Sequence, residues 1–312
     1  MKTLQILVLG FFCALLMFFG VKTLFRADNA PLLRPDHETG ESLSTTVDSD
    51  VDPIKTPALP DSATSEPTPP IPQTNKSDLL PLTISTLDGL SDKSIAWGFG
   101  KSVNEQNQST ACLALQEKYK DLGSVFIMDT DKVYLSFDLG YEAGFTGAIL
   151  DTLKANDVKA IFFLTGSYAK NQEELVKRIL AEGHTIGNHS ATHADMTTLD
   201  DAAAKEEIMG MHRIMEEKYS YSPYLFRFPA GTFSEKSLAI AAQNGYHSVF
   251  WSFGYSDWDN AAQPETAAAL EKTTKALHKG GVYLLHPMET NSKILDELIK
   301  TARQQGFEFG VL

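Results

Sequence analysis

Hydrophobic and polar positions divide this chain into three regimes. Residues 4–21 (LQILVLGFFCALLMFFGV) are apolar and uncharged, about the length that spans a bilayer. From 27 to 83 apolar positions thin out, Asp, Glu, Ser and Thr dominate, and seven prolines fall between Pro53 and Pro72. Little there can bury a core, so an extended tether is expected. From 84 to 312 short apolar runs alternate with longer amphipathic segments. The pattern predicts an ordered lead-in at 95–100 and a helix over 110–119. Strands follow over 133–137, 160–164, 184–187, 225–228, 247–252, 282–285 and 307–312. Between them fall helices over 146–156, 172–182, 200–218, 235–244, 264–278 and 292–305. Gly183, Gly245, Gly280 and Gly306 stop four of these helices, Gly183 in a place suited to a left-handed cap. Thr197 or Thr198 is expected to cap the long helix that starts near 200. Such a succession with short loops predicts a parallel sheet covered by helices. The number of units fits a barrel, complete or not. A flat doubly wound sheet is the alternative, but no Gly-rich phosphate loop follows the first strand.

At 312 residues the chain has room for one large domain plus appendages, and it shows no internal repeat. The formal charge of −13, with no basic stripe to offset it, argues against a nucleic-acid partner. Two cysteines, Cys13 and Cys112, make no disulfide framework. The apolar N-terminal stretch is read as an uncleaved anchor within 1–26, because Arg26-Ala27-Asp28-Asn29-Ala30 is a poor cleavage site. A cleaved signal and a secreted protein is the rival reading. Lys2 on one side and Lys22 and Arg26 on the other leave orientation open by charge.

Candidate chemistry sits at the ends of the predicted strands, which in a parallel α/β fold share one face. His189 and His193 lie four residues apart in Gly187-Asn188-His189-Ser190-Ala191-Thr192-His193 and can point at one cation from a helical turn or tight loop. Alone, that spacing is a weak signal. Asp138 ends the run Tyr134-Leu135-Ser136-Phe137 and reads as a turn acid or as a general base. Arg227, between Phe226 and Phe228, needs a buried partner, since an unpaired buried charge is costly. That partner is either a structural ion pair or Asp138. Asp257 beside Trp258 is a turn acid, or it pairs with His286, fixing the tautomer of the imidazole and raising its pKa. His184, His212, His247 and His278 lack such company and are expected to be structural or on the surface. Met209, Met211 and Met215 read as packing on the long helix.

In order, Ser136-Phe137-Asp138, His189-Ser190-x-x-His193, Arg227-x-Pro229-x-Gly231, Asp257-Trp258 and Leu284-Leu285-His286 resemble the five motifs of the NodB-type polysaccharide deacetylases, carbohydrate esterase family 4. Trp97-Gly98-Phe99, Phe137-Asp138-x-Gly140-Tyr141-Glu142-x-Gly144, Gly187-Asn188-His189-Ser190 and Phe250-Trp251-Ser252 are similar to the branch that deacetylates N-acetylmuramic acid and leads to muramic δ-lactam in spore cortex. The resemblance runs from about 95 to 312. It implies a distorted (β/α) barrel within a domain at 84–312 and metal-assisted hydrolysis of an N-acetyl group. By resemblance, Asp138 is the base, His189 and His193 bind a divalent ion such as zinc, His286 protonates the leaving amine under the influence of Asp257, and Arg227 holds the base. Backbone near Ala230 assists the oxyanion, Trp258 and Leu284 line the acetyl pocket, and Tyr141 belongs to the substrate site. Implied partners are peptidoglycan glycan strands, the membrane through the N-terminal helix, and an amidase that first strips stem peptides. The catalytic domain is accordingly expected outside the cell membrane.

Three positions depart from the family pattern. Leu139 stands where most members carry a second aspartate as third metal ligand; the δ-lactam branch has an amide there. Weak metal affinity is therefore expected, and Leu139→Asp is expected to tighten it. Ala230 replaces a usual aromatic, and Gly254 replaces the first acid of the Asp-Trp motif. Two rivals remain: a deacetylase of N-acetylglucosamine in peptidoglycan, and a non-catalytic glycan-binding relative.

Overall fold

The computed structural model describes Leu79 and residues 82–312. The anchor expected within 1–26 and nearly all of the tether expected over 27–83 lie outside the described residues. Among the described residues no helix is long and apolar enough to cross a membrane.

The strands are β1 (Ile95–Ala96), β2 (Ser124–Val125), β3 (Lys132–Leu139), β4 (Ile161–Leu164), β5 (Thr185–Asn188), β6 (Leu225–Phe226), β7 (Thr232–Phe233), β8 (His247–Val249), β9 (Val282–Leu285) and β10 (Glu308–Gly310). The helices are α1 (Thr110–Tyr119), α2 (Thr146–Ala155), α3 (Gly166–Asn171), α4 (Glu173–Ala181), α5 (Asp201–Tyr219), α6 (Glu235–Gln243), α7 (Thr266–Lys275) and α8 (Glu289–Gln304). The main sheet runs β10-β3-β4-β5-β6-β8-β2, with β9 also on β3, and all its pairings are parallel. Just past β8, Phe253 bridges Tyr283 of β9, and Leu284 N–H donates to the Phe253 carbonyl at 2.8 Å. That closure curls the sheet into a distorted barrel and excludes the flat doubly wound alternative.

Side chains alternate across each strand, and here the alternation sorts the core. Tyr134, Ile161, Phe163, Leu225, Val249 and Val282 pack together inside the barrel. Their neighbours Val133, Leu135, Phe137, Phe162, Leu164, Tyr283 and Leu285 pack outward against α2, α4, α5 and α8. Met211 and Met215 of α5 are fully buried in that outer layer, as expected. Phe226, Phe228 and Phe250 face α6 together with Trp97 and Tyr119.

The structure adjusts several predicted elements. The helix expected over 172–182 is preceded by α3, capped by Thr165 accepting from Tyr168 N–H, and the two helices meet at Gln172. Asp200, rather than Thr197 or Thr198, caps α5 by accepting from Ala203 N–H at 2.8 Å. The helix expected from 292 begins a turn earlier, at Glu289. The lead-in forms a short antiparallel ribbon, β1 on β7, with Ile95 opposite Phe233. Two-residue strands carry no readable period, which is why this pairing is invisible in the sequence.

Candidate active site

The inward set of side chains reaches the C-terminal mouth of the barrel as a group. Continuing the parity of Tyr134 along β3 brings Asp138 to the mouth. The same step from Leu225 brings Arg227, from Val249 Trp251, and from Val282 Leu284 and His286. Leu139 has the opposite parity. It is fully buried in the outward cluster with Phe137 and Leu164. A carboxylate there would start among apolar neighbours, and zinc calorimetry on Leu139→Asp tests the expectation that it tightens a metal site.

Arg227 has the partner its sequence context demands. Its Nη1 donates to Asp138 Oδ1 at 2.8 Å, while Nε and Nη2 donate to the carbonyls of Val249 and Phe250 at 3.0 and 3.3 Å. The guanidinium also lies 4.0 Å from the centre of the Phe163 ring. Gly187 makes that stacking possible, since a Cβ there would meet Phe163 at 2.3 Å. Burial pushes the Asp138 carboxyl up, but the positive charge of Arg227, helped by His189 and His286, outweighs it and holds the group below the ordinary aspartate value.

His189 gives its Nδ1–H to the Arg227 carbonyl at 2.8 Å, which leaves Nε2 facing Asp138 Oδ2 at 3.6 Å. Burial pulls its pKa down to about 4, against the pull of Asp138, so the ring is neutral. The loop to His193 is a tight turn rather than a helical turn, with Ser190 at φ 67° and His193 at φ 65°. Local bonds hold this strained backbone: Asn188 Oδ1 accepts from Ser190 N–H, and Ser190 Oγ from His193 N–H, each at 2.8 Å. Thr192 is tied to Glu207 at 2.7 and 2.9 Å. The two rings lie 4.9 Å apart, edge to face.

Across the mouth, the fully buried Asp257 takes His286 Nδ1–H on Oδ1 at 2.8 Å. Its Oδ2 accepts from the His286 backbone N–H at 2.9 Å and from Asn291 Nδ2 at 2.6 Å. Tyr255 in turn donates to Asn291 Oδ1 at 2.5 Å. Burial alone would lower the His286 pKa; the hydrogen bond and charge of Asp257 reverse that and leave it raised. Asn291 and Tyr255 have no sequence signal of their own, because they act through Asp257 from elements that only the fold brings near.

These groups open onto one cleft of about 720 Å³, lined by Asp138, Tyr141, His189, His193, Ala230, Trp258, Leu284 and His286, and also by Trp251, Pro287 and Met288. Every sequence-derived site residue is here except Arg227 and Asp257, which lie buried directly behind Asp138 and His286. Trp251 was missed, although its alternation with Val249 is the signal that points it inward. Tyr141 and Trp258 form an exposed rim, 54% and 56% accessible, joined where Tyr141 Oη donates to the Trp258 carbonyl at 3.2 Å.

The donor chemistry of the two histidines suits a divalent ion. His189, a neutral imidazole whose other N–H is held by a carbonyl, is in the form that ligates, and the His193 ring lies 4.9 Å from it on the same cleft. Among the described residues no group of three His, Cys, Asp or Glu side chains is placed to hold an ion. The residues thus fit an ion held by two imidazoles, with water or substrate completing the shell, and not the usual three-ligand catalytic zinc.

A carboxylate whose pKa is held down and an imidazole whose pKa is raised, both lining one cleft, are the equipment of a hydrolase. A family model described as Polysaccharide deacetylase matches residues 127–249. The peptidoglycan-N-acetylmuramic acid deacetylase PdaA of Bacillus subtilis is 37% identical over 233 residues, 71% of this chain and 86% of the relative. The solved structure of that PdaA, a family 4 carbohydrate esterase, aligns with a TM-score of 0.67 at 34% identity, covering 71% of this chain and 96% of that one. A peptidoglycan-N-acetylglucosamine deacetylase of Bacillus cereus is 32% identical over 187 residues, 58% of this chain and 66% of the relative. A pseudoenzyme of the same esterase family from Bacillus anthracis aligns with a TM-score of 0.58 at 27% identity, covering 61% of this chain and 67% of that one. This chain belongs to the polysaccharide deacetylases of carbohydrate esterase family 4, hydrolases acting on amide bonds.

Proposed function

We propose that this protein deacetylates peptidoglycan, acting on N-acetylmuramic acid in glycan strands already stripped of stem peptide. The observation that carries the reading is the opposed pair in one cleft, Asp138 held by Arg227 and His286 held by Asp257. Similarity to the muramic acid deacetylase over 86% of that relative's length supports the choice of sugar.

Asp138 takes a proton from water as the water oxygen attacks the acetamide carbonyl. Arg227 keeps the base anionic until that moment. The backbone at Ala230, in the turn Pro229–Gly231 on the cleft wall, faces the developing oxyanion. His286 gives its proton to the sugar nitrogen, the C–N bond breaks, and acetate and a free amine leave. What a divalent ion on His189 and His193 supplies is polarisation of the carbonyl and a more acidic water. Trp258 and Leu284 enclose the acetyl methyl, and Tyr141 meets the sugar at the rim. In peptide-free muramic acid the freed amine then attacks the lactyl carboxyl, the carboxyl C–O bond breaks with loss of water, and a δ-lactam closes, the cortex mark of a spore former. Residues 1–26 as anchor and 27–83 as tether would let the 84–312 domain reach the wall from the outer membrane face.

The test incubates the full chain with untreated and amidase-treated peptidoglycan and follows acetate and δ-lactam by mass spectrometry. Product only after peptide removal is expected. Deacetylation of glucosamine in intact strands would replace this reading with the first rival. Absence of product with any added divalent ion would replace it with the glycan-binding one.

A further inference from the structure

Part of the wall of the cleft that holds the proton-transfer groups is an indole. Trp251 is half-buried, and its exposed part faces the cleft. Gly231 makes room for the ring, and Gly254 lies beside it. A Cβ on Gly231 would come within 2.6 Å of it, and one on Gly254 within 3.4 Å. The Arg227 guanidinium lies 5.8 Å from the ring centre. An aromatic ring thus lines the same cleft as Asp138 and His286, beside a cation tied to Asp138 and two backbone carbonyls.

A residue well upstream of the matched family segment fixes this wall. Trp97 Nε1–H donates to the Trp251 carbonyl at 3.0 Å, and Trp97 N–H donates to the Gly231 carbonyl at 3.0 Å. One lead-in residue therefore ties together the two cleft segments, 229–231 and 251, that have no direct strand pairing with each other. Its indole is wedged against Phe126 and Phe250, with ring centres 4.9 and 6.2 Å away. The β1–β7 ribbon sets the position of Trp97 through Ala96, which lies opposite Thr232.

We infer that Trp251 is a substrate contact, an aromatic platform for the apolar face of the sugar ring, and that Trp97 is the positioning residue that sets it. The inference rests on the reading of the cleft as a glycan site. A pyranose ring presents C–H groups on its faces, and an indole held in a narrow cleft offers them dispersion contact and excludes water. Neither tryptophan touches the moving protons, so the platform acts on binding rather than on the chemical step.

Binding is measured by calorimetry on the full chain carrying Asp138→Asn, titrated with peptide-free glycan oligomers. Turnover is thereby removed from the readout. Adding Trp251→Ala is expected to weaken binding about fivefold or more, and Trp251→Phe, which keeps a ring in the glycine cradle, is expected to restore most of it. In the otherwise unaltered chain, Trp97→Phe is expected to raise KM while kcat and its pH profile stay put. Equal affinity with and without the Trp251 indole would overturn the platform. A lowered melting temperature for Trp97→Phe with unchanged KM would make Trp97 mere packing and overturn its positioning role. If the Asp138→Asn parent binds no oligomer at all, the glycan reading fails, and this inference fails with it.

Discussion

On the β3 side of the cleft a carboxylate meets a guanidinium; on the β9 side a carboxylate meets an imidazole. Asp138 and Arg227 are both buried, and the arginine is spread over Asp138 and two backbone carbonyls. Asp257 is buried as deeply, but its partner His286 stays partly exposed, and Asn291 and the His286 backbone fill the remaining lone pairs. The first arrangement lowers the pKa of the acid that reacts. The second raises the pKa of the base that the acid holds. The same residue type therefore serves as proton acceptor in one half and as orienter in the other. Its partner decides the role: a permanent cation leaves the carboxylate free to react, whereas a titratable ring becomes the reactive group itself.

The sharpest way to break this comparison is Arg227→Met. It strands Asp138 as an unpaired buried charge and should cost about 3–5 kcal/mol in chemical denaturation, with activity lost alongside. An equal melting curve would mean that Asp138 is not desolvated as the structure places it. Next comes Asp138→Asn, which should keep the fold, because the amide oxygen still accepts from Arg227. It should lower kcat by about a hundredfold to ten-thousandfold, read by acetate release. Rates near those of the unaltered chain would remove Asp138 as the base.

Asp257→Asn tests the other half. Without the carboxylate the His286 pKa should fall, so the alkaline limb of the kcat profile should move to lower pH. In the unaltered chain the acidic limb belongs to Asp138, below the ordinary carboxylate range, and the alkaline limb to His286, above the ordinary histidine value. Stability follows the same signs. The His286 contribution is complete below the unfolded histidine pKa and is lost as pH rises through the folded one. The Asp138 contribution is present above the unfolded aspartate pKa and is lost as pH falls through the folded one. An alkaline limb that does not move in Asp257→Asn would detach His286 from the reaction. The smallest effect is expected from Tyr141→Phe, which removes one rim hydrogen bond worth about 1 kcal/mol at most. KM should change by less than about fivefold and kcat hardly at all; a large fall in kcat would move Tyr141 from the rim into the chemistry.

Much of this site is legible along the chain because side-chain alternation in a strand is a local property. Phe137-Asp138, Phe226-Arg227 and Leu285-His286 each place a polar residue on the inward parity at a strand end, and the same rule read one strand further would have found Trp251. It also gives Leu139 the parity opposite to Asp138, a difference that motif alignment hides by treating adjacent positions alike. Asn291, Tyr255 and Trp97 left no such trace. Each acts through hydrogen bonds to residues distant in sequence, and nothing in the residues around it depends on those bonds.

The sequence by itself determined the order of strands and helices, their parity, and the charge that each strand end presents, because these depend on neighbours a few residues away. Only the tertiary structure decided that Arg227 meets Asp138 across 89 positions and that Trp97 meets Trp251 across 154. Such pairings follow from how the curled sheet closes and how the lead-in ribbon docks on it. Packing and desolvation select them over the whole molecule, and no local pattern encodes which distant partner will be there.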